Sequence, residues 1–90
     1  MDIRKVFGRN LRRYRLGAGL SQEAIAERMG VDRAHVSSME RGQQNVTLLT
    51  VWQVAEALGC RSADLLDERV AILPPPEGAA KAPRRRRTKP

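Results

Sequence analysis

Side chains able to do covalent or acid–base chemistry are scarce in this sequence. There is one histidine, His35, and one cysteine, Cys60, and no cluster of carboxylates, His or Cys converges on a single element. That set is too small for a metal site and offers no nucleophile paired with a base. Enzyme activity, a metal and a cofactor are therefore not expected. The chain is instead rich in hydrogen-bonding groups over one short stretch. Arg33, His35, Ser37 and Ser38 are followed by Arg41, Gln43, Gln44 and Asn45, and Gln22 opens the preceding segment. Groups of this kind bind rather than transform, and the guanidinium forks suit paired acceptors.

Charge indicates what they would bind. Seventeen Lys+Arg stand against ten Asp+Glu in 90 residues, a net +7, which favours a polyanion. Three aromatic residues in all argue against a stacking platform for single strands. No apolar run approaches the ~20 residues needed to span a membrane, and Met1–Lys5 lacks the apolar stretch of a signal peptide. A lone cysteine cannot form an intrachain disulfide, which fits a reducing cytoplasm. Cys60 itself reads as an inert, half-buried apolar residue.

The length allows one small domain. Its expected limits are 1–73, where 11 Lys+Arg nearly balance 9 Asp+Glu. Pro74-Pro75-Pro76 then open a segment, 74–90, with six cations and only Glu77 as an anion. It has nothing apolar to bury and reads as a disordered basic tail. Arg84, Arg85, Arg86 and Arg87 in it would serve as a non-specific DNA arm, as a solvated extension without a role, or as a contact for RNA or a membrane surface.

The elements that position the polar stretch are helices divided by glycines. Ile3, Phe7, Leu11 and Tyr14 recur at helical spacing after a capping Asp2, and Gly17 and Gly19 end that segment. Ser21 caps a second helix, 22–29, and Asp32 a third, 33–41. Thr47 caps a fourth, 48–58, with Leu48, Val51, Ala55 and Leu58 as its inward stripe. Ser62 opens a fifth that reaches about residue 68, and Val70–Leu73 extends it or forms a strand-like end. The expectation is an all-α domain of five helices.

The second and third helices are joined only by Gly30, Val31 and Asp32, so they must cross steeply. The crossing needs a small residue at the contact, Ala26, and a turn residue tolerant of positive φ, Gly30. It also needs apolar anchors, here Ile25, Met29, Val31, Val36 and Met39. This pattern resembles the helix-turn-helix of the Xre/Cro family of bacterial and phage regulators over residues 3–68. The residues carrying the resemblance are Leu11-Arg12, Arg15, Ser21-Gln22-Glu23, Ile25-Ala26, Met29-Gly30-Val31, Val36-Ser37, Met39-Glu40-Arg41-Gly42, Leu48, Ala55 and Leu58-Gly59. The run 32–41 followed by Asn45-Val46-Thr47 is also similar to the controller proteins of restriction–modification systems. Those more often have a basic residue where Gln44 stands and usually lack a long Arg tail.

The resemblance implies a lambda-repressor-like fold, a cytoplasmic transcriptional regulator and double-stranded DNA as the partner. It also implies a structural salt bridge between Arg15 and Glu40. In such a motif the second of the two helices enters the major groove. With Val36 and Met39 inward, Arg33, Ala34, Ser37 and Ser38 point outward and His35 lies on the flank. Arg33 suits O6 and N7 of guanine, Ala34 a thymine methyl, and the serines either bases or phosphates. Gln22 sits where helix N-terminal amides hold a phosphate, and Arg41, Gln43, Gln44 and Asn45 follow as backbone contacts. Leu49 and Trp52 add apolar area beside the fourth helix's inward stripe. They either widen the core or form a homodimer interface with Leu65, Leu66 or Val70–Leu73. A dimer would read an inverted repeat. The alternative is an antitoxin-type interaction module that also binds its own promoter. No effector domain is visible, so no small-molecule effector is expected.

Overall fold

A computed structural model describes residues 1–74. The arm expected at Arg84–Arg87 lies outside the described residues. Within them the chain is all-helical, with no strand: α1 Ile3–Gly17, α2 Gln22–Met29, α3 Arg33–Glu40, α4 Leu48–Leu58, α5 Ser62–Leu65 and α6 Glu68–Ala71.

Local chemistry sets most of the boundaries. Asp2, Ser21 and Thr47 stand at N-caps, and their side-chain oxygens accept from the amides of Arg4, Ala24 and Thr50 at 2.7, 3.0 and 3.1 Å. Each such bond satisfies one of the free amides of a first turn and contributes about 1 kcal/mol. Asp32 occupies the cap position of α3 without making the side-chain bond. Gly30 ends α2 in the left-handed region at φ 73°, which lets the Val31 amide turn back onto the Ala26 carbonyl at 2.9 Å. A residue with a Cβ would be strained there.

The core gathers Phe7 and Leu11 of α1, Ile25 and Ala26 of α2, Val36 and Met39 of α3, Val51, Val54 and Ala55 of α4, and Leu65 of α5. Met29 and Val31 pack against it from the turn. Gly8 is the point of closest approach between α1 and α3. A Cβ there would run into the carbonyl oxygen of Met39 and come within 2.7 Å of that of Glu40. Only glycine lets the first helix lie this tightly on the end of the third.

Several expectations are corrected. Ile3 and Leu48 are exposed, Leu48 by 83%, and Val6 and Val54 are the buried residues instead. Leu48 is the first residue of α4, before the helix reaches the core, and the inward stripe is Val51, Val54, Ala55 and Leu58. Ser62 does open α5, with Arg61 at the cap position, its amide donating 3.0 Å to the Asp64 carboxylate. The fifth helix is two short ones, so the described residues form six helices. The fully buried Asn10 explains the break. Its side-chain amide donates to the carbonyls of Leu65 and Asp67 at 3.1 and 3.0 Å. The Leu65 carbonyl would otherwise accept from the Arg69 amide, which is capped by Asp67 instead at 2.9 Å. Val70–Leu73 is therefore not a strand: Val70 and Ala71 complete α6, and Ile72 and Leu73 are exposed.

Candidate nucleic-acid interface

Helix α3 shows solvent the face opposite Val36 and Met39. Arg33 and Ala34 are exposed, Ser37 and Ser38 half-exposed, and His35 half-buried on the flank. Eight residues make about two turns, ~12 Å, short enough to lie in a major groove.

Beneath that face runs a connected set of polar contacts. The Glu40 carboxylate accepts from Nε and Nη2 of Arg15 at 2.5 and 3.0 Å, a two-pronged pair joining α3 to α1. Both side chains are nearly buried, 10% exposed for Arg15 and 4% for Glu40. Arg15 also donates to the Leu20 carbonyl at 2.9 Å. Gln22 continues the set. Its amide nitrogen donates 3.0 Å to Glu40, and its amide oxygen accepts from Nη1 of Arg33 at 2.9 Å. Arg33 is thereby braced through one nitrogen, while its Nε–Nη2 edge stays available as a two-donor fork. One amide hydrogen of Gln22 also stays available for an anion. The sequence singled out Gln22, but its brace on Arg33 was not readable there, because it depends on how α2 and α3 cross.

The segment after α3 folds back onto the same helix. The amides of Gly42 and Gln43 donate to the Met39 and Ser38 carbonyls, both at 3.1 Å. Arg41 donates to the Ser37 hydroxyl and, at 3.3 Å, to the side chain of Gln43. Gln44 donates to the Ser38 hydroxyl at 2.8 Å. Asn45 is exposed beyond them.

On α4, Leu49 and Trp52 are 61% and 54% exposed, beside the exposed Leu48. Leu65 does not join them. It is fully buried beneath α5, so it cannot meet a second subunit, and Leu66 is half-buried against the core. Cys60 is half-buried, and burial pushes its thiol pKa up, which disfavours the thiolate. Among the described residues no group of three or more His, Cys, Asp or Glu could hold a metal ion, and no helix is long and apolar enough to cross a membrane.

Residues 11–65, from the middle of α1 to the end of α5, match the HTH_3 helix-turn-helix family. The chain belongs to that family. An HTH-type transcriptional regulator, y4dJ of Sinorhizobium fredii, is 41% identical over 66 residues, covering 73% of this chain and 86% of its own. The control protein C.SmaI of Serratia marcescens is 42% identical over 66 residues, 73% of this chain and 79% of its own. Among solved structures, the restriction–modification controller protein C.AhdI of Aeromonas hydrophila superposes with a TM-score of 0.66 at 42% identity, covering 69% of this chain and 94% of its own. The protein is thus a DNA-binding helix-turn-helix transcriptional regulator. Helices α2 and α3, joined by the turn at Gly30–Asp32, lie within the matched residues.

Proposed function

We propose that the protein is a homodimer that recognises an inverted-repeat operator, one α3 in the major groove of each half-site. Half-site centres would lie about one helical turn apart, ~34 Å. Arg33 reads a guanine through its free edge, Ala34 meets a thymine methyl, and Ser37 and Ser38 reach base edges with His35 beside them. Gln22 offers its remaining amide hydrogen to a phosphate, and Arg41, Gln43 and Asn45 follow the backbone. Leu49 and Trp52 form the two-fold contact. The observation that carries this reading is the brace on Arg33. A surface arginine in the first turn of a helix meets the positive end of the helix dipole and gains nothing there. Here it is held through Gln22 and Glu40 down to the buried Arg15, which fits a side chain that must meet a target in one orientation.

Selection from random duplexes, followed by titration of the enriched site, tests it. Arg33→Ala should cost ~1–3 kcal/mol on the selected site and much less on random DNA. Equal losses on both would reduce Arg33 to a phosphate contact, and an enriched site without two-fold symmetry would refute the dimeric reading.

A further inference from the structure

We infer that Gln44 is a positioning residue for Ser38, setting base preference at one operator position from outside the recognition helix. The inference rests on the reading of Ser38 as a base contact. A serine hydroxyl left to itself samples staggered rotamers and, in a helix, readily bonds back to the carbonyl four residues earlier. Either habit withdraws it from a base edge. At Ser38 the Gln44 amide takes one lone pair of the hydroxyl oxygen at 2.8 Å. This holds the oxygen on the side of the helix facing the loop. It also keeps the hydroxyl hydrogen from pointing there, so the donor and the second lone pair are left for other partners.

Gln44 is itself held in place. The Gly42 and Gln43 amides close the end of α3 onto Met39 and Ser38, the two-bond arrangement that fixes the chain just past a helix. The bond at the Ser38 carbonyl and the bond at its hydroxyl come from consecutive loop residues, so one residue is gripped by backbone and side chain from the same loop. Both Ser38 and Gln44 are half-buried, which shields the bond from water. Gln44 is neutral, so its effect is one of geometry and not of charge.

The test is a parallel selection from random duplexes with the full chain and with Gln44→Ala, Gln44→Glu and Ser38→Ala. Affinities for the selected site and for random DNA are then measured, and circular dichroism melts confirm that each variant is folded. Gln44→Ala should lose roughly three- to tenfold on the selected site, the value of one hydrogen bond, and under about twofold on random DNA. The preference should relax at one position of each half-site, the same one that Ser38→Ala relaxes. The double variant should be no worse than Ser38→Ala alone, since the two act as a unit. Gln44→Glu keeps the size of the side chain but can only accept, so it would take the Ser38 hydrogen. It should change the preferred base at that position. Uniform weakening at every position by Gln44→Ala or Gln44→Glu, with base preferences intact, would overturn the inference and return Gln44 to the backbone. A wild-type chain that enriches a site with no position sensitive to Ser38→Ala would overturn it too. A wild type that enriches no site would sink the operator reading itself, and the inference with it.

Discussion

The ion pair between Arg15 and Glu40 allows folding and recognition to be separated by experiment. The Glu40 side chain is 4% exposed and its partners are Arg15 and Gln22. Arg15→Met removes the cation and keeps most of its apolar stem. It leaves a buried carboxylate with one neutral donor, and breaking a buried pair in this way costs ~3–5 kcal/mol. A domain this small has a stability near the low end of ~5–15 kcal/mol. The midpoint of thermal unfolding should fall by ~12–40 °C, taking ~4–8 °C per kcal/mol at this size. Glu40→Leu should cost less, because the long stem of Arg15 can carry its charge toward water. The double variant Arg15→Met/Glu40→Leu buries no charge and should recover much of the loss, as apolar replacements of whole buried pairs do. Urea and thermal melts by circular dichroism measure all three. Titration of the selected operator then gives the second readout. Stability should return in the double variant, but specific affinity should not, because Gln22 no longer has the carboxylate that holds it against Arg33. An Arg15→Met cost below ~1 kcal/mol, the value of an exposed pair, would refute the argument from burial. Strictly additive losses in the double variant would refute the coupling.

Three further outcomes are expected. Gly8→Ala should destabilise by ~1–3 kcal/mol in urea melts, because its methyl group meets the Met39 and Glu40 carbonyls; a gain from better helix propensity would show that α1 can slide away from α3. Trp52→Ala should stay folded, since the side chain is half in solvent, and should shift sedimentation at tens of micromolar from dimer toward monomer; a monomeric wild type would remove α4 from the interface. Deleting residues 75–90 should flatten the slope of log affinity against log salt by ~0.9 for each phosphate that the arginines neutralise, while preserving the ranking of sites; an unchanged slope would leave the arginines without a role on DNA.

The sequence is legible wherever the determining chemistry is local. Ser21 and Thr47 cap, and Gly30 turns, because each acts on amides or dihedrals within a few residues of itself. The inward faces of α2 and α3 followed from Ile25, Ala26, Val36 and Met39 for the same reason. Legibility fails where the cause is remote. The break between α5 and α6 depends on Asn10, more than fifty residues earlier, taking the carbonyls that a continuous helix would use. A buried Asn in α1 carries no mark in the sequence of its distant acceptors. The placement of Leu48 fails differently. At the start of a helix the periodic pattern extends past the core, and nothing local says where the neighbouring helix stops. Leu65 fails because an apolar residue in a short helix reads equally as core and as interface.

The outward set on α3 could be read from periodicity, but its rigidity could not. Arg33, Gln22, Glu40 and Arg15 come from three different helices and meet only because α2 and α3 cross at Gly30 while Gly8 admits α1 against the end of α3. The contact that ties the first helix to the third is thus also the far end of the brace on Arg33. A free arginine on a short helix would lose about 2 kcal/mol of rotamer entropy when it engaged a base. A braced one has given up part of that freedom during folding, when apolar burial in the core can offset it. The polar contacts add little to the net stability of the domain, since buried ion pairs gain little over apolar replacements. Their contribution is to orientation: energy from core packing holds a fork ready at the surface.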